Sequence, residues 1–272
     1  MKYLKILGKI VLYFSVYIFT TFICTSIYAI IYGIINFNSI TNVQINESLI
    51  RDGFLLTATS AIICFGIYVL MFRKKEINLF KRCSFKKISL KNSSLIVFCS
   101  LGLALFSDSL VNLLISKFPS YTEASAAIES NTTTILGIVC IVLIIPIFEE
   151  ILFRGLIYNE LKTHLNIILA IIIQGVIFAA AHGNMLQGIY TFIMGVVLAI
   201  IYNKTRSIIA PMLFHIMYNL LGSIVLPFIL SGIDGYYIAI LILGSIITIF
   251  SLVLILKNNT KTINNNTLYT EL

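Results

Sequence analysis

Charge is what this sequence has least of. Only 11% of its 272 residues are Asp, Glu, Lys or Arg, while 59% are hydrophobic. A soluble globular chain carries roughly 25% charged residues, so a soluble enzyme or soluble binding module is excluded at the outset. Paired cysteines are missing as well. Cys24, Cys64, Cys83, Cys99 and Cys140 show no short paired spacing, which rules out a disulfide framework and a thiolate zinc site. The basic, apolar N-terminus is long for a signal peptide and has no small-x-small cleavage site to close it, so it is expected to be a span rather than a signal peptide. No internal repeat occurs, and no soluble domain is visible.

What is present is a series of eight apolar runs, near 6–35, 54–72, 94–116, 135–158, 167–182, 186–202, 207–225 and 236–256. A membrane-spanning helix needs about 17–25 residues, so the fifth and sixth runs are short. The expected fold is an all-α polytopic membrane bundle of about eight helices, one domain over residues 1–256. The tail 257–272, "KNNTKTINNNTLYTEL", is largely polar and is expected to be disordered.

The net charge of +8 suggests nucleic acid until its distribution is followed. Lys2, Lys5 and Lys9 precede the first run, and the connection 73–91 carries Arg73, Lys74, Lys75, Lys81, Arg82, Lys86, Lys87 and Lys91. Lys162, Lys204, Arg206, Lys257 and Lys261 follow at every second connection. If the chain crosses eight times, these sixteen of its 19 basic residues share one side. That is the positive-inside pattern, with both termini cytoplasmic. The basic loop is expected to act as a topology signal beside anionic lipid. No aromatic stacking pattern accompanies it, so no nucleic-acid partner is expected.

Function in such a chain is sought among polar groups inside the apolar runs. Asp108 lies in "LALFSDSLVNLL". A denser set follows: Glu149, Glu150 and Arg154 in "PIFEEILFRG", His182 in "FAAAH", and His215 and Asn219 in "FHIMYN". Glu150 and Arg154 stand four apart and share a helix face, as do His215 and Asn219. Glu149 points about 100° away from Glu150. One carboxylate is thus expected to pair with arginine, leaving the other available for chemistry. A hairpin turning near Leu165 sets Glu149 and His182 at similar depth if both arms rise equally, with Gly175 and Ala179 permitting close approach. The same count leaves His215 well below His182, which requires an irregular sixth helix or a late start to the seventh, near Pro211. The residues by themselves fit either a membrane enzyme or an ion or proton pathway.

The three motifs, EExxxR as "EEILFR", FxxxH as "FAAAH" and HxxxN as "HIMYN", resemble in order and spacing those of the CPBP family, the CAAX prenyl proteases and bacteriocin-processing enzymes, also called Abi. They cover residues 148–219. The resemblance implies an intramembrane endopeptidase of the cell membrane acting on a membrane-bound peptide or protein. It implies that Glu149 is the general base for water, supported by Glu150, with Arg154 holding the carboxylate geometry. His182 would position water or substrate, and His215 and Asn219 would bracket the carbonyl oxygen. Peptide hydrolysis needs such a base and such donors. A metal-free glutamic mechanism, with no cofactor, is the expectation. The alternative is Zn²⁺ held by Glu149, His182 and His215; no tight HExxH cluster supports it. Two non-enzymatic alternatives are a bacteriocin immunity protein and an ion or proton transporter.

The charge distribution makes the first testable statement. Reporter fusions at Lys87 and after Lys261 are both expected to report the cytoplasm; either one reporting the outer face breaks the topology.

Overall fold

The computed structural model describes residues 2–36, 42–233 and 235–268. These residues form helices and connecting turns. In chain order the helices are α1 (Lys2–Ile35), α2 (Asn42–Arg51), α3 (Gly53–Phe72), α4 (Leu79–Cys83), α5 (Leu90–Leu114), α6 (Tyr121–Asn131), α7 (Ile135–Lys162), α8 (Ile167–Ala180), α9 (Met185–Thr205), α10 (Ile209–Leu230) and α11 (Tyr237–Leu268). The expected tail overlaps the end of α11, whose backbone stays helical to Leu268; residues 269–272 lie outside the described residues.

Local chemistry sets several of the helix starts. Thr134, Asn166 and Asn184 each accept a hydrogen bond from the backbone N–H three residues on, at 3.0, 2.8 and 3.2 Å. Each thereby satisfies a donor that the first helical turn leaves unpaired. At its far end α9 stops where Arg206 adopts the left-handed conformation, φ 51°.

Among the described residues seven helices are long and apolar enough to cross a membrane, and α8 is a shorter apolar one. The chain is a multi-pass membrane protein. The expectation of about eight spans therefore holds as seven long helices plus one of 14 residues, about 21 Å long against a hydrocarbon core of about 30 Å. The sixth run, short in sequence, extends to the full 21 residues of α9.

Helix α7 is not a uniform α-helix. Its segments Cys140–Ile144 and Ile151–Tyr158 are π-helical, a form in which each N–H reaches back five residues rather than four. A π turn holds more residues than an α turn, so side chains before the second segment sit nearer the C-terminal end than an equal-rise count predicts. The equal-rise assumption therefore fails on the α7 arm of the Glu149–His182 hairpin. The sixth helix is regular and the seventh starts at Ile209 rather than at Pro211; the irregularity lies in α7 and in the early end of α8. Gly175 permits a close crossing, but with α9. A Cβ on Gly195 would stand 3.1 Å from the Gly175 Cα, so α8 and α9 meet backbone to backbone there.

The basic loop is packed into the fold. Leu79 and Cys83 of α4 are fully buried. Arg82 Nη2 contacts Glu160 Oε2 at 2.7 Å, and Lys9 Nζ contacts Glu160 Oε1 at 2.7 Å. Asn159 Nδ2 donates to the Arg82 carbonyl at 2.9 Å, and the Tyr202 hydroxyl donates to the Cys83 carbonyl at 3.2 Å. Burial pushes the Cys83 thiol up to about 12, so it packs as a neutral group. The loop is docked against the end of α7, where Gly155 leaves room for the Cys83 sulfur. A Cβ on Gly155 would overlap that sulfur while standing 3.5 Å from the Cys83 Cβ.

This contact is testable. Gly155→Ala is expected to lower stability in detergent by about 1–3 kcal/mol through overpacking. Adding Cys83→Ala, which removes only the overlapping atom, is expected to recover most of that loss in a thermal melt. A double variant as unstable as Gly155→Ala alone would place the fault elsewhere.

Candidate active site

Six polar residues singled out in the sequence lie around the middle of α7 and the facing parts of α8 and α10. Glu150 and Arg154 are both completely buried. Arg154 Nη1 donates to Glu150 Oε1 at 2.8 Å, so the pair expected from the four-residue spacing forms. Arg154 Nη2 donates to the Gly195 carbonyl of α9 at 3.3 Å. The guanidinium also lies over the Phe178 ring of α8, 4.5 Å from its centroid, a favourable place for a desolvated cation.

His215 links the two carboxylates. Its Nδ1 lies 2.8 Å from Glu150 Oε1, and its Nε2 lies 3.6 Å from Glu149 Oε2. Glu150 Oε1 already accepts from arginine and acts as an ionised acceptor, so Nδ1 carries the hydrogen of the shared bond. The Nε2 of His215 is thereby turned toward Glu149.

Glu149 occupies different surroundings. Its side chain keeps 20% of its exposure and lines a cavity of about 950 Å³, together with His182, His215 and Asn219. Glu150 and Arg154 are not part of that lining. The two adjacent glutamates are thus divided between the cavity and the interior.

His182 and Asn219 are held by backbone groups. His182 lies in the turn after α8, with Gly183 at φ 69°. Its Nδ1 is 2.8 Å from the Phe178 carbonyl; a carbonyl only accepts, so Nδ1 donates and Nε2 is left for the cavity. The Phe178 ring stands edge-on to both histidines, with centroids 4.9 Å from His182 and 6.0 Å from His215. Asn219 Nδ2 donates to the Ile141 carbonyl at 2.9 Å. Ile141 lies in the first π segment, where the change of register leaves carbonyls short of their usual helical donors. One amide hydrogen of Asn219 remains.

Three further groups have parts that sequence reasoning missed. Phe178 separates the histidines and seats the guanidinium; the first letter of "FAAAH" was the available signal. The carbonyls of Gly195 and Ile141 carry no sequence signature. A zinc site built from Glu149, His182 and His215 does not fit. Among the described residues no three His, Cys, Asp or Glu side chains converge closely enough to hold an ion.

Residues 131–221, which carry all six positions, match a family described as type II CAAX prenyl endopeptidase Rce1-like. A relative from Bacillus subtilis (strain 168), named "Putative membrane peptidase YdiL", is 26% identical over 182 residues, covering 64% of this chain and 72% of that protein. Over residues 131–221 the chain is similar to the Rce1-like (CPBP) family. It is a distant homologue of that membrane peptidase, and no solved structure matches it at a significant level. Within the Rce1-like match the paired acids are the one point where α7 supplies both a sealed ion pair and a cavity-facing carboxylate.

Removing Arg154 is expected to leave Glu150 buried without its cation. The cost of breaking such a pair is about 3–5 kcal/mol. Arg154→Ala should lower the melting temperature in detergent clearly; an unchanged melt would mean that the arginine does not support the fold.

Proposed function

We propose that this protein is an intramembrane endopeptidase that cleaves a membrane-bound peptide or protein, with Glu149 activating water and no metal taking part. The observation that carries the reading is the division of the two glutamates. Glu150 is sealed against Arg154 and His215, whereas Glu149 faces the cavity with His215 Nε2 beside it. A base must reach both water and substrate, and of the pair Glu149 alone borders open space.

In this reading Glu149 takes a proton from water as the oxygen attacks the scissile carbonyl, and later returns it to the leaving amine. His182 accepts a hydrogen of that water at Nε2. Asn219 gives its remaining amide hydrogen to the developing oxyanion. The proton that Glu149 takes from water can pass to His215 Nε2 beside it, since Nδ1–H is committed to Glu150. Nε2 then serves as a second donor until it gives the proton back. Donors of this kind act on the transition state more than on the bound substrate. The bacterial plasma membrane is the proposed location.

Glu149→Gln keeps size and hydrogen bonding but cannot take a proton. It is expected to abolish cleavage of an apolar fluorogenic peptide by purified protein while the melting temperature stays within a few degrees of wild type. Wild-type activity is expected to survive a chelator. Stoichiometric zinc, with activity lost to chelator and restored by metal, would overturn the glutamic mechanism. A biological phenotype retained by Glu149→Gln at normal expression would overturn the enzyme reading in favour of immunity by binding.

A further inference from the structure

The cavity extends well past the proposed catalytic groups. Away from Glu149 it is walled by α5, α6, α9 and α10, which contribute Asp108, Tyr121, Tyr190 and Tyr218. Tyr121 and Tyr190 meet hydroxyl to hydroxyl at 3.4 Å, with rings edge-on and centroids 6.4 Å apart. Asp108 stands on α5 within an apolar span. The hydrogen bond given to its carboxylate is a long one, 3.4 Å from Asn112 Nδ2, whose shorter bond goes to the Asp108 backbone carbonyl at 2.9 Å.

The charge around this space is one-sided. Three carboxylates line it, Asp108, Glu129 and Glu149, and no lysine or arginine does; the other ionisable groups there are tyrosines and the two histidines. The guanidinium nearest the site, Arg154, is committed to Glu150 and sealed away. A carboxylate at membrane depth is costly unless something answers its charge. For Asp108 no fixed cation among the cavity's described lining residues does so. Tyr121, Tyr190 and Tyr218 line the same cavity, and an aromatic ring is also a favourable neighbour for a cation.

We propose that Asp108, with Tyr121, Tyr190 and Tyr218, forms a subsite that takes a lysine or arginine side chain of the substrate, so that the enzyme prefers an apolar membrane peptide with a basic residue near the cleaved bond. This deepens the peptidase reading and rests on it. Asp108 here sets specificity and takes no part in the bond-breaking step. The long basic side chain would lay its methylene stem against the apolar wall and its charge against the carboxylate.

The test uses two quenched fluorogenic peptides of mainly Leu and Ile, alike except that one carries Lys where the other carries norleucine. Purified wild-type protein in lipid nanodiscs is expected to cleave the Lys peptide with kcat/KM at least about tenfold higher, mostly through KM, the low end for a desolvated charge pair. Asp108→Asn is expected to collapse that ratio toward one, and Asp108→Glu to restore part of it. Binding of both peptides to Glu149→Gln, followed by fluorescence anisotropy, separates the two readings. Cleavage with equal rates for both peptides, or a ratio that survives Asp108→Asn, overturns the subsite and leaves the peptidase standing. Asp108-dependent binding of the Lys peptide by a wild-type protein that cleaves neither peptide supports the subsite and overturns the peptidase. Absence of any Lys preference in binding overturns the subsite whatever the cleavage result.

Discussion

The structure around the site depends on one buried cation. Arg154 has no exposed surface, and the effective penalty for removing an ion from water is several kcal/mol even after relaxation. Its partners come from three further directions besides its own helix. Glu150 supplies the countercharge, α9 a carbonyl, α8 the face of Phe178, and α10 the imidazole that shares the Glu150 oxygen. Moving α8 or α9 by a few ångströms would strip the arginine of a partner, and moving α10 would strip Glu150 of one. The pair therefore fixes α8, α9 and α10 relative to α7, and it does so where the cavity begins.

The π segments of α7 are the second constraint. They flank the short α-helical stretch Ile145–Glu150 that carries both glutamates. Each segment has an asparagine side chain bonded to one of its carbonyls. Asn219 reaches Ile141 from α10, and Asn159 donates to Gly155 from one turn further along α7, both at 2.9 Å. Unpaired carbonyls in an apolar setting are costly, so these amides make the wider turns tolerable. Asn219 then couples two tasks: one hydrogen maintains the shape of α7 and the other faces the cavity.

How much of this is legible follows from what each feature looks like in sequence. Charged and polar groups stand out in apolar runs, so the six candidate residues that gather around α7 can be picked out from the amino-acid sequence alone. Spacing separates Glu150, four residues from Arg154, from Glu149. The π segments are invisible, because no residue type marks them, and the depth count inherits that blindness. The expectation that Glu149 and His182 share a depth assumes equal rise on both arms, and α7 does not rise equally. The docking of α4 escapes the sequence for another reason. Five residues are too few to show a hydrophobic period, so the burial of Leu79 and Cys83 is masked by the lysines and arginines around them.

Two adjacent glutamates also make sense as a solution to a conflict specific to membranes. A carboxylate able to do chemistry must border water and substrate, and a lone one in a span would be free to turn toward any polar partner. The arginine that lowers its cost also draws it into the closed interior, as it does Glu150. Placing a second carboxylate next in sequence, about 100° around the helix, lets one acid absorb the arginine while the other keeps its orientation. His215 links the two, with one nitrogen on the paired acid and the other beside the free one. The free acid is thus positioned through the backbone and the imidazole rather than through a salt bridge of its own. A single glutamate beside the arginine would be buried as Glu150 is, with no carboxylate left at the cavity.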